Sequence, residues 1–381
     1  MFDLNEKQLL VQKLYREFAE KEVKPLAAEI DEEERFPQET VDKLFRYGMM
    51  GIPFSTEYHG AGADYLSYIL CVEEMSKVCA TTGVIVSAHT SLCSAPIDYF
   101  GTPEQKEKYL KPLNTHKVGA FGLTEPNAGT DAAEQQSVAV LDGDYYILNG
   151  SKIFITNSGD ADIYVIMAMT DKSAGTRGIS SFIVEKGWEG FTFGNPEKKM
   201  GIRGSSTREL IFTNVKVPKE NLLAKEGQGF KVAMHTLDGG RIGIAAQALG
   251  IAQGAFDEAV KYVNERKQFG KTIASFQNTQ FRLADMHTQI EAARLLVYRA
   301  AMCKQEGKPY ATEAAMAKLF ASETAMDVTT KVVQMFGGYG YMRDFPVERM
   351  MRDAKITEIY EGTSEVQKMV ISAAVLKGGK K

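Results

Sequence analysis

In mid-chain the apolar period switches from that of helices to that of strands, and then switches back. Residues 116–225 contain "SVAVLDGDYYILNGSKIFIT", where Asp142-Gly143 and Asn149-Gly150 are two hairpin signals between strand-like runs. "DIYVIMAM", "ISSFIVEK" and "ELIFTNVKV" are further strand candidates, rich in branched and aromatic residues. Loops such as "TDKSAGTRG" and "GIRGSSTRE" separate them, and no helix of useful length fits between. A chain so punctuated has a β domain flanked by helical ones.

The flanks read as helix. Asp3 with Glu6 forms a candidate capping pair, followed by Leu10, Leu14 and Phe18 at four-residue spacing. Thr102, Pro103 and Gln105 make a second start signal. Between them "TGVIVSAHTSLCSAPIDYF" is so apolar that its helix must be buried on most sides. After "KEGQGF", three segments have helical spacing: residues 242–270 ending at Gly270, then 277–308, then 312–338. Their alanine-rich faces suit a bundle or a subunit interface. The expected architecture is mainly α with a central β domain: helical over 1–115, β over 116–225, helical bundle over 226–381.

Composition excludes several functions. The 45 basic and 49 acidic residues leave a net charge of −4, which argues against nucleic acid as a partner. Cys71, Cys79, Cys93 and Cys303 show no CxxC spacing, which fits reduced thiols in a cytosol-like compartment. The five histidines are scattered and form no zinc signature. "MFDLNEKQLL" lacks the order of a signal or transit peptide, and no apolar run approaches the roughly 18 residues of a membrane span. The expected location is cytoplasmic, with no membrane partner.

Nucleotide motifs also fail. "QFGKT" has Glu265 where a phosphate loop needs glycine, and "GGYGYM" follows a helix instead of a strand. Other stretches carry more chemistry. "FGLTEPNAGTD" is either a polar turn or a cradle of exposed amides. Phe154 and Thr156 in "KIFITNSGDAD" are core or cofactor wall, and Phe154 taken alone reads as core. "LDGGRIGIAA" sets Asp238 and Arg241 at an expected helix start, suiting either a plain cap or a polar-ligand site. "NERKQFGK" is a basic helix end. "EIYEGTSEVQ" offers Glu358, Glu361 and Glu365, of which only Glu361 sits between an aromatic residue and a glycine.

The order "LTEPNAGTD", "KIFITN", "DGGR", "ERKQFGK", "QMFGGYGY", "MRDAKITEIYEGTSEVQ" resembles the acyl-CoA dehydrogenase family over essentially the whole chain, most closely its short-chain, butyryl-CoA type. The resemblance implies FAD held non-covalently in a homotetramer. Phe121, Leu123, Thr124 and Thr130, with Phe154, Ile155 and Thr156, are then expected to line the flavin. Arg266, Gln268, Phe269 and Gln277, with Gln334, Met335, Phe336, Gly337 and Gly338, are expected on the pyrophosphate and adenosine side, partly across a subunit boundary. Thr363, Ser364 and Glu365 close over the cofactor. Thr130, Asp238, Gly239, Gly240, Arg241 and Gly362 contact the acyl-CoA thioester.

By the same resemblance Glu361 is the catalytic base. It removes the α-proton while the β-hydrogen leaves as hydride to flavin N5, and electrons pass on to an electron-transferring flavoprotein. Burial should raise its pKa toward that of the thioester. Some members carry their base on the "DGGR" helix, but Gly240 stands at that position and leaves the role to Glu361. The "VIVSAHTSLCSAP" helix is the expected pocket floor. Residues 81–99 contain no arginine for a distal carboxylate, which argues against a dicarboxylate substrate. Two alternatives keep the fold: an acyl-CoA oxidase using O2, disfavoured by the lack of an extra C-terminal helical domain, and a non-catalytic scaffold, disfavoured by Glu361 and the flavin motifs.

Overall fold

The computed structural model describes residues 4–378. The chain begins with the helix Glu6–Phe18, opened by a capping box between Asn5 and Gln8. The Asn5 side chain accepts from the Gln8 amide at 2.9 Å, and the Gln8 side chain accepts from the Asn5 amide at 3.0 Å. Glu6 is therefore a first-turn residue and not the capping partner, and Asp3 lies outside the described residues. Thr102 caps the turn at Pro103 with Gln105 as its reciprocal partner, as the sequence predicts. The Gln105 amide nitrogen also donates to the carbonyls of Glu220 and Leu222, at 2.7 and 2.9 Å, fastening this helical layer to the β layer.

The apolar segment after Cys79 is buried, as expected, but it is not one regular helix. An α-helix Ala80–Ser87 widens into a π-helical stretch Ala88–Ser94 and returns to α-helix over Ala95–Phe100. Such widenings recur at functional sites, because they re-aim side chains within an otherwise rigid helix.

The middle of the chain forms eight strands: β1 Gly119–Gly122, β2 Val138–Asp142, β3 Tyr145–Thr156, β4 Ile163–Met169, β5 Ile179–Glu185, β6 Phe191–Phe193, β7 Thr207–Pro218 and β8 Leu222–Leu223. Their order is β6-β7-β3-β2-β4-β5-β8, with β1 parallel to β4. Asp142-Gly143 makes its hairpin between antiparallel β2 and β3, with Gly143 at φ 60°. Asn149-Gly150 does not turn the chain. It lies inside β3 as a bulge against β7, with Gly150 at φ 135°. A Cβ on Gly150 would sit 2.4 Å from the Ser137 hydroxyl, so this glycine serves close packing across β2 and β3.

From Gly229 the chain is helical again. The first helix spans Gly229–Glu265, beginning earlier and ending sooner than the expected 242–270. After Glu265, Lys267–Gln268 and Lys271–Thr272 pair as a short ribbon around Gly270 at φ 76°. Asp238 to Arg241 therefore sit within a helix and not at its start, so no helix N-terminus faces a ligand there. Two glycines are tolerated inside this helix because its neighbours press close: a Cβ would lie 2.5 Å from Lys304 Nζ at Gly239, and 2.8 Å from Glu361 Oε2 at Gly240. Helices Gln277–Gln305, Ala311–Phe336, Val347–Ile356 and Ser364–Gly378 complete this part.

One apolar core runs through all three layers, with Tyr68, Ile85, Tyr164, Phe182, Ala245 and Val328 among its members. Polar links reinforce it. Arg352 pairs with Asp31 at 2.6 Å, and Asp353 accepts from the Ile202 amide at 2.5 Å. Loops from the β layer are thus fixed against both helical layers. Among the described residues, no helix is long and apolar enough to cross a membrane.

Candidate active site

A cavity of about 330 Å³ opens where the three layers meet. Phe121, Leu123, Thr124, Thr130, Phe154, Ile155 and Thr156 line its β side, and Arg241, Glu361 and Gly362 its helical side. Ala88 and Leu92, from the π-helical stretch, line it as well.

The β wall is held by a buried ionic network. The Lys152 amine, with no exposed surface, donates to Glu125 Oε1 and Gln135 Oε1, both at 2.5 Å, and to the Leu123 carbonyl at 3.3 Å. Glu125 also accepts from the amides of Gln136 and Ser137, at 2.6 and 3.1 Å. Burial pushes the Lys152 amine down to about 8 against the pull of Glu125. Burial alone would raise the Glu125 carboxyl; the Lys152 charge and the hydrogen bonds from Lys152, Gln136 and Ser137 together outweigh it and leave the carboxyl lowered. These bonds tie the segment from Leu123 to Ser137, which has almost no regular structure, to Lys152 of β3.

Phe154 does not join the core. A register shift between Lys152 and Ile155 bulges β3, puts Phe154 at φ 59° and leaves it 63% exposed on the cavity wall. The bulge is what defeats the strand alternation from which Phe154 reads as core.

Glu361 occupies the opposite wall in a left-handed backbone conformation, φ 55°, followed by Gly362 at φ 91°. The residue is only partly exposed, and its Oε2 is buried without a hydrogen-bond partner. Burial raises the carboxyl to about 7; the charges of Arg241 and Lys318 oppose that rise. Its backbone carbonyl accepts from Gln367 at 3.2 Å and Arg241 at 3.5 Å. Tyr360, one residue before, donates its hydroxyl to Gln247, whose amide holds the Ala80 carbonyl at 3.0 Å. Gly240 leaves the room that the carboxylate fills. The result is a carboxyl of nearly neutral pKa whose Oε2 has no hydrogen-bond partner, in a cavity that Ala88 and Leu92 also line.

Arg266, Gln268, Met335, Phe336, Gly337 and Gly338 line a different groove, of about 530 Å³, which shares no residue with the first cavity. The Arg266 guanidinium lies 5.4 Å from the centre of the Tyr339 ring. Phe269, 92% exposed, packs edge-on to Phe276 and is not part of that lining, and Gln277 and Gln334 are exposed outside it. Thr363 accepts from the Val366 amide at 3.4 Å at the start of the Ser364–Gly378 helix; Ser364 Oγ is buried without a partner, and Glu365 is exposed. Asp238 pairs with Arg241 at 2.7 Å and does not line the cavity. Neither does Gly239, which faces Lys304. Sequence reasoning missed Lys152, Lys318 and Gln367. The available signal was a single lysine within an apolar run, in "IFIT" preceded by Lys152 and in "AAMAKLFA".

Three family models match this chain: acyl-CoA dehydrogenase N-terminal domain over residues 5–117, middle domain over 120–215 and C-terminal domain over 227–376. The chain is 66% identical to a short-chain specific acyl-CoA dehydrogenase of Clostridium acetobutylicum, over 99% of this chain and 100% of that one. It superposes on butyryl-CoA dehydrogenase from Megasphaera elsdenii with a TM-score of 0.97 at 56% identity, covering 99% of this chain and 100% of that one. A chain solved in work on the electron transferring flavoprotein of Acidaminococcus fermentans and flavin-based electron bifurcation gives a TM-score of 0.98 at 60% identity, covering 99% and 100%.

Proposed function

The chain belongs to the acyl-CoA dehydrogenase family, and from that premise we propose that it is an FAD-dependent, short-chain dehydrogenase in which Glu361 is the base. The reaction converts butyryl-CoA to crotonyl-CoA. The observation that carries the assignment of Glu361 is its buried, unpartnered Oε2 in a cavity that Ala88, Leu92, Leu123 and Leu237 help to line.

The cavity wall suits the cofactor. An exposed aromatic side chain forced out of its strand, flanked by Thr124, Thr130 and Thr156, provides a flat apolar face with polar edges. We assign Phe121, Leu123, Thr124, Thr130, Phe154, Ile155 and Thr156 to the flavin ring. Arg266, Gln268 and the segment Met335–Gly338 are assigned to its phosphate and adenosine end. When bound, FAD supplies the acceptor for the hydrogen that leaves Cβ as hydride.

The protein's own residues do the rest. Glu361, ionised, takes the α-proton of the thioester. Its carboxyl near 7 makes it a stronger base than a solvated carboxylate while keeping an ionised fraction at neutral pH. The left-handed turn at Glu361 and Gly362 exposes backbone amides that can face the thioester oxygen as negative charge develops on it. Ala88 and Leu92 exclude water from the acyl end. Arg241 holds the Glu361 carbonyl, and Asp238 in turn holds Arg241.

The two grooves share no lining residue, which supports a flavin held between chains, and we propose a homotetramer with an electron-transferring flavoprotein as partner. The cysteines are unpaired, in keeping with a cytoplasmic location. The test is an anaerobic visible spectrum of the purified protein before and after butyryl-CoA. Bleaching of the flavin bands with a new long-wavelength absorbance is the expected result. A flavin that butyryl-CoA leaves unchanged refutes the short-chain assignment, and protein that takes up no FAD refutes the enzyme.

A further inference from the structure

Lys318 is a buried cation with no carboxylate partner among the described residues. It sits on the Ala311–Phe336 helix with no exposed surface, among Ala314, Ala315, Ala321 and Ser322. Its amine donates to the carbonyl of Gly362 at 2.7 Å. Gln367, also fully buried, donates to the same oxygen at 2.8 Å and to the Glu361 carbonyl at 3.2 Å. A buried ammonium is costly, and a neutral carbonyl returns only part of that cost. A glutamine or methionine could fill the same space at less expense, so the charge itself needs a reason.

The charges around Glu361 provide one. From the Gly229–Glu265 helix comes Arg241, whose charge does the most to oppose the rise of the Glu361 carboxyl, although Arg241 is itself engaged by Asp238 at 2.7 Å. The Tyr65–Val78 helix offers only the neutral Tyr68, bonded to Ser87. The Ala80–Phe100 segment offers Ala88 and Leu92 to the cavity, and its His89 turns away to accept from the Gly119 amide at 3.0 Å. On its own segment Glu361 has Tyr360, Glu358 and Glu365. Glu358 is paired with Lys355 at 2.6 Å, and Glu365 is exposed. Lys318 is the cation near the carboxylate that no other acid has engaged. Glu361 is in turn the carboxylate that most favours the charge of Lys318, whose amine burial pushes down to about 8.

We propose that Lys318 is a positioning residue of the reaction: through the Gly362 carbonyl it holds Glu361 in its left-handed turn, and its uncommitted charge adds to that of Arg241 in favouring the ionised carboxylate. The proposal rests on Glu361 being the base. It deepens that reading, because a base desolvated enough to be strong needs a counter-charge that does not bond to it and quench it. A lysine held on the next carbonyl meets both demands.

The experiment compares the wild type with Lys318→Met, Lys318→Gln and Lys318→Arg, all loaded with FAD. It reads the pH dependence of anaerobic flavin bleaching by butyryl-CoA, the bound flavin by absorbance, and Tm. In the wild type the rate rises with pH through about 7, as Glu361 ionises. Lys318→Met and Lys318→Gln shift that limb to higher pH by roughly one unit or more, so the rate at pH 6 falls about tenfold. Lys318→Arg restores the limb. Should Lys318→Met fail to fold, Lys318→Gln, which keeps a donor for the Gly362 carbonyl, reads the charge alone. An unmoved limb in folded Lys318→Met or Lys318→Gln, with a loss that is uniform in pH or seen only in Tm, overturns the proposal. So does a limb in Lys318→Arg displaced as far as in Lys318→Gln. Wild-type flavin that butyryl-CoA bleaches at no pH overturns the dehydrogenase reading itself, and is seen before any variant is compared.

Discussion

Gly240→Ala separates stability from catalysis at a single carbon atom. The added Cβ would lie 2.8 Å from Glu361 Oε2, 3.2 Å from its Cδ and 2.8 Å from Leu92 Cδ2. Ordinary contact begins near 3.4 Å, so the carboxylate must retreat by about 0.6 Å. Leu92 can rotate away at little cost, because it borders a cavity. With Glu361 as the proposed base, the carboxylate cannot retreat without leaving the place where the α-proton would be taken. A displacement of 1 Å costs on the order of a hundredfold in rate, so this one should cost roughly tenfold, or about 1.4 kcal/mol in the barrier. The fold should respond in the opposite sense. Gly240 lies inside a long helix, where alanine is favoured by about 1 kcal/mol. Stopped-flow bleaching under anaerobic conditions gives the rate, and thermal unfolding of the same samples gives the stability. The expected outcome is a rate about one-tenth of wild type with Tm unchanged or higher. A variant that bleaches within twofold of the wild-type rate would refute the claim that this glycine exists to seat the carboxylate.

Glu361→Gln should retain FAD and the fold yet lose roughly a hundred- to ten-thousandfold in bleaching rate, measured in the same apparatus; wild-type speed would remove Glu361 from the mechanism. The same substitution reads the cost of the base in stability. The Glu361 carboxyl is raised in the folded state, from 4.5 to about 7, so its contribution to stability is fully present below 4.5 and is lost as pH rises through 7. Denaturant unfolding should therefore find Glu361→Gln more stable than wild type by roughly 1–3 kcal/mol at pH 8, with the difference vanishing toward pH 4.5; a constant difference across that range would contradict the raised pKa. Lys152→Met leaves Glu125 buried and unpaired, and should cost roughly 3–5 kcal/mol in unfolding free energy together with loss of bound flavin. Adding Glu125→Gln to that variant should recover part of both, and equal losses in the single and double variants would mean that the pair is not coupled.

Much of the fold is legible because it rests on period and punctuation. The strands at Ile163–Met169 and Ile179–Glu185 are buried runs of branched residues, and Thr102 with Gln105 caps its turn as written. Two of the differences share a physical source: glycine reads as local punctuation where it answers to a distant neighbour. Gly150 makes room for Ser137, and Gly240 for the carboxylate of Glu361, so neither marks a turn or a helix start. The helix expected from residue 242 starts at Gly229 for the same reason, since it continues through Gly239 and Gly240 without a break. At the site, the residues that line the cavity stand in short contiguous motifs. Lys318 reaches the Gly362 carbonyl from another helix, and no local pattern encodes that partnership, while Gln367 stands five residues after Gly362 with nothing in the motif to mark that its side chain folds back.

Glu361 also bears on how such a sequence drifts. Its backbone lies where a side chain of L configuration costs of order 1–3 kcal/mol, and its carboxylate is left buried without a partner. Glycine or asparagine at this position would relieve both. Mutation pressure and the physics of folding therefore point the same way, away from activity, and only selection on turnover holds the glutamate in place. Descendants released from that selection should fold at least as well as their ancestors. Thermal robustness in a relative with this turn altered would then record a lost chemistry.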